Sequence, residues 1–356
     1  MKKKNRILLL TTFFITLLIF TSGCFFGKEE EQSRDELIVF NYGDYIDTDT
    51  ISMFEKETGI SVKYEEYVTP EDMYTKYKSG AIHYDLICTS DYMIEKLIKE
   101  KELYKIDTSM MKNYKNVEEK YLNLCETFDP GNKYCVPYFF GTVGILYNKK
   151  LVKEKVDSWS ILWNKKYTNQ IIMQNSMRDA FMVPLKWKGK SINTKDPQEL
   201  LMAQKLLMKQ KPIVEAYLVD EARDAMIAED ASMAVIYSGD ATVAMEENEN
   251  LSYVVPKEGS NVWFDCWAIP KKAAHKKAAE QFIDFMNRKK PAQMNFDYIY
   301  YGTPNTEVFR ALDEETKEDE TIFPPEEILK KCEVYQYLGE KTDQRYNRLF
   351  KELKSY

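Results

Sequence analysis

Histidine is nearly missing from this chain of 356 residues: there are two, His83 and His275, far apart in sequence. Two isolated imidazoles do not supply a Ser-His-Asp or Cys-His arrangement, and both read as surface residues. The motifs that would carry other chemistry are missing too. No GxSxG, no HExxH, no GxGxxG after a strand and no GxxxxGKS or GxxxxGKT occurs. Acidic residues are common, so a pair of carboxylates acting as acid and base is not excluded, yet none stands out as catalytic. CxxC is absent among the six cysteines, which removes the usual zinc spacing and leaves no metal or cofactor implied. Cys125 and Cys135 flank the turn-like Asp129-Pro130-Gly131-Asn132 and are candidates for a bridge. Cys88 and Cys266 lie in apolar, strand-like runs and read as small buried hydrophobes. An excess of positive charge is lacking as well. The formal net charge is −7, and residues 1–23 hold four cations and no anions, so the remainder is more acidic still. That balance argues against nucleic acid and against anionic lipid, and it suits a cationic ligand.

Long apolar runs are also scarce. Ile7 to Phe20 spans 14 residues, whereas a permanent membrane helix needs roughly 20. Lys2, Lys3, Lys4 and Arg6 precede it and Thr21-Ser22-Gly23-Cys24 follows, the layout of a secretory signal over residues 1–23. A cysteine directly after Ser-Gly resembles the lipobox of bacterial lipoproteins, which implies that Cys24 is lipidated and anchors the chain to the cell membrane. Thr21 stands where leucine is usual in that motif. Residues 24–35, with Glu29-Glu30-Glu31, are too polar to pack and read as a tether. The roughly 330 residues that remain are enough for two domains.

Beyond the tether, strands and helices alternate. Leu37 to Phe40, Ser61 to Tyr67 and Tyr84 to Cys88 read as strands, with helices over 48–57, 71–78 and 90–99 between and after them. This order predicts a parallel sheet with helices on its faces, whose ligands bind beyond the carboxyl ends of the strands. Further strands are expected at 142–147, 170–174 and 233–237. Helices are expected at 197–209 and 272–289, and Trp159 and Trp163 are expected as core residues on a helix.

Aromatics make up 13% of the chain, 25 of them tyrosine, and several stand beside carboxylates at predicted strand ends. Tyr42-Gly43-Asp44-Tyr45, Tyr92, Arg178-Asp179, Tyr237, Trp263-Phe264-Asp265 and Tyr300-Tyr301 are the main cases. An alkylammonium ligand needs this combination. Its methylenes pack on aromatic faces, its cationic ends gain cation–π attraction, and carboxylates accept the charge-assisted hydrogen bonds. Taken singly, each such aromatic reads more readily as core or rim, and Asp179 as half of a surface ion pair with Arg178. Asp265 is different: it interrupts the apolar run Trp263 to Ile269, so it needs a partner or a wet cleft.

These residues resemble those of the bacterial spermidine/putrescine-binding proteins, the solute receptors of polyamine ABC importers. The likeness runs from about Glu36 to the C-terminus. It is carried by Phe40-Asn41-Tyr42-Gly43-Asp44-Tyr45-Ile46, Phe54 to Ile60, Tyr84-Asp85-Leu86 with Ser90 and Tyr92, Pro137-Tyr138, Ser158-Trp159, Met177-Arg178-Asp179, Pro256 to Gly259, Trp263-Phe264-Asp265 and Tyr301 to Asn305. The resemblance implies an α/β, two-lobed periplasmic-binding-protein-like fold of type II, with the ligand cleft between lobes joined by two crossover strands. Residues 36–138 plus 264–309 would form the first lobe, and residues 139–263 plus 310–356 the second. It also implies an aromatic box of Tyr42, Tyr45, Tyr92, Tyr237, Trp263 and Tyr301, with Asp265 and Asp179 on amine groups and Ser90 adding a polar contact. Asp44, Ser176 and Gln336, or Tyr335 beside it, complete the implied set.

Three departures bear on ligand choice. Tyr42 and Tyr237 stand where the best-known spermidine receptor has tryptophans, Ser176 replaces an aspartate, and Asp179 is one methylene shorter than the glutamate there. The implied partners are a polyamine, the permease and ATPase of an ABC importer, and the membrane through the lipid, with the receptor itself a monomer. A receptor for a sugar, an amino acid or ferric ion is the alternative within the same architecture. A secreted hydrolase using carboxylates is the alternative outside it.

Overall fold

The computed structural model describes residues 36–356, so the expected signal peptide, Cys24 and the tether lie outside the described residues. Strand β1 (Glu36–Tyr42) pairs in parallel with β2 (Ser61–Tyr67) and with β3 (Leu86–Ser90). The helix between β1 and β2, Thr48–Thr58, begins where the Asp47 carboxylate accepts the Asp49 N–H at 2.9 Å. It stops at Gly59, whose φ of 74° few other residues adopt cheaply. The next two helices are Pro70–Ser79 and Asp91–Lys99.

The remaining strands are β4 (Cys135–Asn148), β5 (Ile171–Gln174), β6 (Ala216–Leu218), β7 (Met233–Tyr237), β8 (Leu251–Val254) and β9 (Val262–Ala268). The strand order is β2-β1-β3-β9-β4-β7-β5-β6, with β8 also on β4. The expected parallel pairing holds for β1–β3 and for β5 with β6 and β7. β4 and β9 pair antiparallel with each other and with their neighbours, as the two crossing strands that the resemblance implies. These two strands connect one half of the sheet to the other rather than returning over a helix, so no parallel crossover is formed. β4 is 14 residues long: its first part pairs with β9 and its last part with β7 and β8.

Each half carries a core on both faces, as strands buried on two sides require. In β1, Leu37 and Val39 face one core with Phe54, Trp267 and Phe282, while Phe40 faces another with Tyr84, Ile87 and Phe264. In β7, Met233 and Val235 join Trp159, Phe181 and Leu200, while Ala234 and Ile236 join Ile172 and Met226. The C-terminal segment divides between the halves. Ile322 and Val334 pack in the cores of the first half, and Tyr335, Leu338, Tyr346, Leu349 and Leu353 in a core of the second. The chain thus crosses a third time, at 333–335, where the Glu333 N–H donates to the Ser260 carbonyl and the Val262 N–H donates to the Glu333 carbonyl.

Several local expectations change. The expected helix 272–289 is the shorter Lys276–Met286, and a second helix, Lys289–Ile299, follows it. Trp159–Trp163 is a 3-10 turn in which Trp159 is fully buried and Trp163 stacks on Trp187 at 4.5 Å. Cys125 and Cys135 are free, buried thiols and form no bridge. His275 is more than a surface residue: its Nδ1 lies 3.1 Å from the buried Asp85 carboxylate, which also accepts the N–H groups of Ala274 and His275.

Candidate functional site

The strand ends of both halves converge. β1 delivers Tyr42, and the turn after it, with Asp44 at φ 51°, folds Tyr45 back inward. β3 delivers Ser90, and the helix that follows starts with Asp91 and Tyr92. β7 delivers Tyr237 and leads into helix Ser238–Glu247; helix Met177–Trp187 contributes Asp179 from its first turn. β9, one of the crossing strands, carries Trp263 and Asp265. Tyr301 enters from the end of helix Lys289–Ile299, where Tyr300 takes a left-handed conformation at φ 64° and turns the chain.

The aromatic rings touch in sequence around the site. Tyr42 and Tyr45 have centroids 5.4 Å apart, Tyr45 and Tyr301 6.3 Å, Tyr301 and Trp263 4.8 Å, and Trp263 and Tyr237 6.3 Å, all near edge-to-face. Two glycines make this approach possible. A Cβ on Gly141 would lie 2.4 Å from the Trp263 ring, and one on Gly239 2.4 Å from the Tyr301 ring.

Three carboxylates stand among these rings. Asp265 is only 8% exposed and accepts the Tyr45 hydroxyl at 2.9 Å. Burial pushes its carboxyl up to about 7, an effect that hydrogen bonds from Tyr45 and Tyr42 oppose. Asp179, also buried, accepts two hydroxyls, from Tyr237 at 2.8 Å and Tyr335 at 2.9 Å. Asp240 receives the Tyr301 hydroxyl at 3.5 Å and has Arg223 at 3.6 Å. Burial, with Asp220 adding to it, moves the Asp240 carboxyl up to about 6 against the pull of Arg223. The Ser90 hydroxyl is buried and makes no hydrogen bond among the described residues. The arrangement has acceptors and aromatic faces in abundance and is suited to an elongated cation.

The structure brings together Tyr42, Tyr45, Ser90, Tyr92, Asp179, Tyr237, Trp263, Asp265 and Tyr301. It treats three other expected residues differently. Asp44 is exposed in its turn and its carboxylate makes no hydrogen bond among the described residues. Ser176 caps its helix, accepting the Asp179 N–H at 3.5 Å. Gln336 is exposed and is held through its backbone, the N–H donating to Asn193 and the carbonyl accepting from Arg178. Its neighbour Tyr335 is the one that reaches a site carboxylate. Asp240 was not singled out from the sequence. Its only signal there is its place three residues after Tyr237, in the first turn of a helix opened at a strand end.

The model of the bacterial extracellular solute-binding protein family matches residues 49–324. The spermidine/putrescine-binding periplasmic protein of Salmonella typhimurium is 34% identical over 325 residues, covering 90% of this chain and 92% of the relative. Among solved structures, the spermidine/putrescine ABC transporter substrate-binding protein of Streptococcus pneumoniae, in complex with calcium and HEPES, is 40% identical. It superposes with a TM-score of 0.82, over 90% of this chain and 99% of that one. A putative spermidine/putrescine ABC transporter structure from Listeria monocytogenes is 38% identical with a TM-score of 0.84, at the same coverage. The chain belongs to the bacterial extracellular solute-binding proteins and, within them, to the family of the spermidine/putrescine-binding proteins. It is a two-lobed solute-binding protein and not an enzyme.

Proposed function

We propose that this protein captures a polyamine, spermidine or putrescine, between its lobes and presents it to the permease and ATPase of an ABC importer. The observation that carries this reading is the pairing of buried Asp265 and Asp179, each held by tyrosine hydroxyls among touching aromatic rings. A protonated amine offers what each carboxylate lacks, and the methylenes between the amines suit the rings. Tyr42, Tyr45, Tyr92, Tyr237, Trp263 and Tyr301 form the proposed wall. Asp265, Asp179 and Asp240 take ammonium groups, with Ser90 as a further acceptor. Asp44, Ser176 and the Gln336 side chain drop out of the proposed contacts.

The proposed lobes are residues 36–138 with 264–334, and 139–263 with 335–356. The second boundary is moved from 310 because Ile322 and Val334 pack with the first half. The proposed resting place is the outer face of the cell membrane, the monomeric receptor held there by lipid on Cys24. Radiolabelled fatty acid should enter the wild-type protein in cells and fail to enter Cys24→Ala.

Calorimetric titration of the mature protein tests the main reading. Spermidine or putrescine should bind at micromolar concentration or tighter, about −8 kcal/mol, and Asp265→Ala should abolish the heat. Binding of a sugar or metal with no response to either amine would overturn it.

A further inference from the structure

Asp179 is held more firmly than an amine contact requires. Its two oxygens each receive a tyrosine hydroxyl, Tyr237 on Oδ2 at 2.8 Å and Tyr335 on Oδ1 at 2.9 Å. Tyr335 is itself locked. It is buried in the second half's core, and the Arg178 guanidinium lies 4.4 Å from its ring centroid. Arg178 is fixed in turn by the Ile192 carbonyl at 3.2 Å, the Asn193 side-chain oxygen at 2.9 Å and the Gln336 carbonyl at 3.2 Å. Arg178 and Asp179 are adjacent in sequence, yet the contacts of the guanidinium are with carbonyl oxygens, an amide oxygen and aromatic rings, and it makes no ion pair with Asp179. The cation orients the ring that orients the carboxylate.

Two O–H donors on a carboxylate fix its plane and use one acceptor direction on each oxygen. The acceptor direction left on each oxygen is then fixed in space, and an ammonium group must meet Asp179 there. A carboxylate free to rotate would follow amines of different reach; one clamped from both sides favours the ligand whose far nitrogen already lies where its near nitrogen meets Asp265. We infer that Tyr335, held by Arg178, is a positioning residue that fixes Asp179 and thereby sets the chain length of the amine this cleft accepts. The inference rests on the proposed polyamine reading.

The test is a set of tryptophan-fluorescence titrations of the mature chain with α,ω-diamines of three to six carbons. Wild type should prefer one length over its neighbours by about tenfold, the size of a change in one charge-assisted contact. Tyr335→Phe keeps the ring and the Arg178 stack but removes the hydroxyl. It should still bind, with the preference reduced to roughly threefold or less. Arg178→Gln should flatten the series in the same direction. Should Tyr335→Phe not fold, Tyr237→Phe removes the opposite donor and carries the same expectation. An equal fall in affinity at every chain length, or an unchanged series, would overturn the inference. Wild type that binds amines without length preference would overturn it too, with the polyamine reading intact. Wild type that binds no amine removes that reading, and this inference with it.

Discussion

Asp265 combines burial with a proposed role that requires charge, and the two pull against each other. Its carboxyl titrates near 7 in the folded protein against an ordinary value of 3.8. Between pH 4 and 7 the unfolded chain has therefore lost a proton that the folded chain keeps, so this group makes stability fall as pH rises through that window. The full difference is worth about 4 kcal/mol at most. Asp265→Asn should flatten this part of the pH–stability profile in ligand-free urea denaturation while removing amine binding. A variant that stays as pH-sensitive as wild type would count against this account. For binding the sign reverses. A cation needs the ionised carboxylate, so affinity should rise from pH 5 to 8, with steps near 6 from Asp240 and near 7 from Asp265. Calorimetry in buffers of different ionisation enthalpy should show proton release on binding at pH 6, and Asp240→Asn should delete the lower step. At this scale the sequence was informative where a residue broke a pattern, as Asp265 breaks an apolar run. It pointed to Asp179 and Tyr335 separately but was silent about the contact between them, which spans 156 positions and leaves no local mark.

The first three strands and their helices were legible because caps and breakers bracket them: Asp47 and Gly59, Thr69 and Gly80. Period and punctuation say less about strands that change partners midway, and β4 and β9 were legible as crossing strands only through the resemblance. Two glycines give element-scale predictions. A side chain on Gly239 would meet the Tyr301 ring, at the first turn of helix Ser238–Glu247 where the lobes approach. Gly239→Ala should therefore leave the melting temperature near wild type and weaken amine binding by about tenfold or more, since the ring must leave the wall. Gly259 is a different case. Its φ is +83° and an added Cβ would lie 2.0 Å from the Lys331 carbonyl oxygen, between two of the crossing segments. Gly259→Ala should cost about 1–3 kcal/mol of stability from backbone strain alone, read from chemical denaturation.

Across the whole molecule, contacts besides the site join the two halves. The Tyr337 N–H, just past the third crossing, donates to the Glu95 carboxylate at 2.6 Å, and the ammonium groups of Lys96 and Lys99 lie 5.8 and 5.4 Å from the Tyr337 ring centroid. Glu95→Ala should favour the open form. Small-angle scattering of the ligand-free protein should then give a larger radius of gyration, and amine affinity should fall by about tenfold or less. A change in neither quantity would show that this contact has no part in closure.

The third crossing also governs when the molecule can exist at all. A protein exported N-terminus first leaves the translocation channel with Leu37 and Val39 in front, but their core also takes in Ile322. The second half's core waits for Tyr346, Leu349 and Leu353, in the final helix Glu340–Ser355. Neither half can finish burying its apolar surface until nearly the whole chain is outside, which leaves a long unfolded interval open to proteases and aggregation. Removing residues 340–356 should therefore yield an exported chain that is degraded rather than a trimmed receptor, even though every proposed ligand contact precedes the cut.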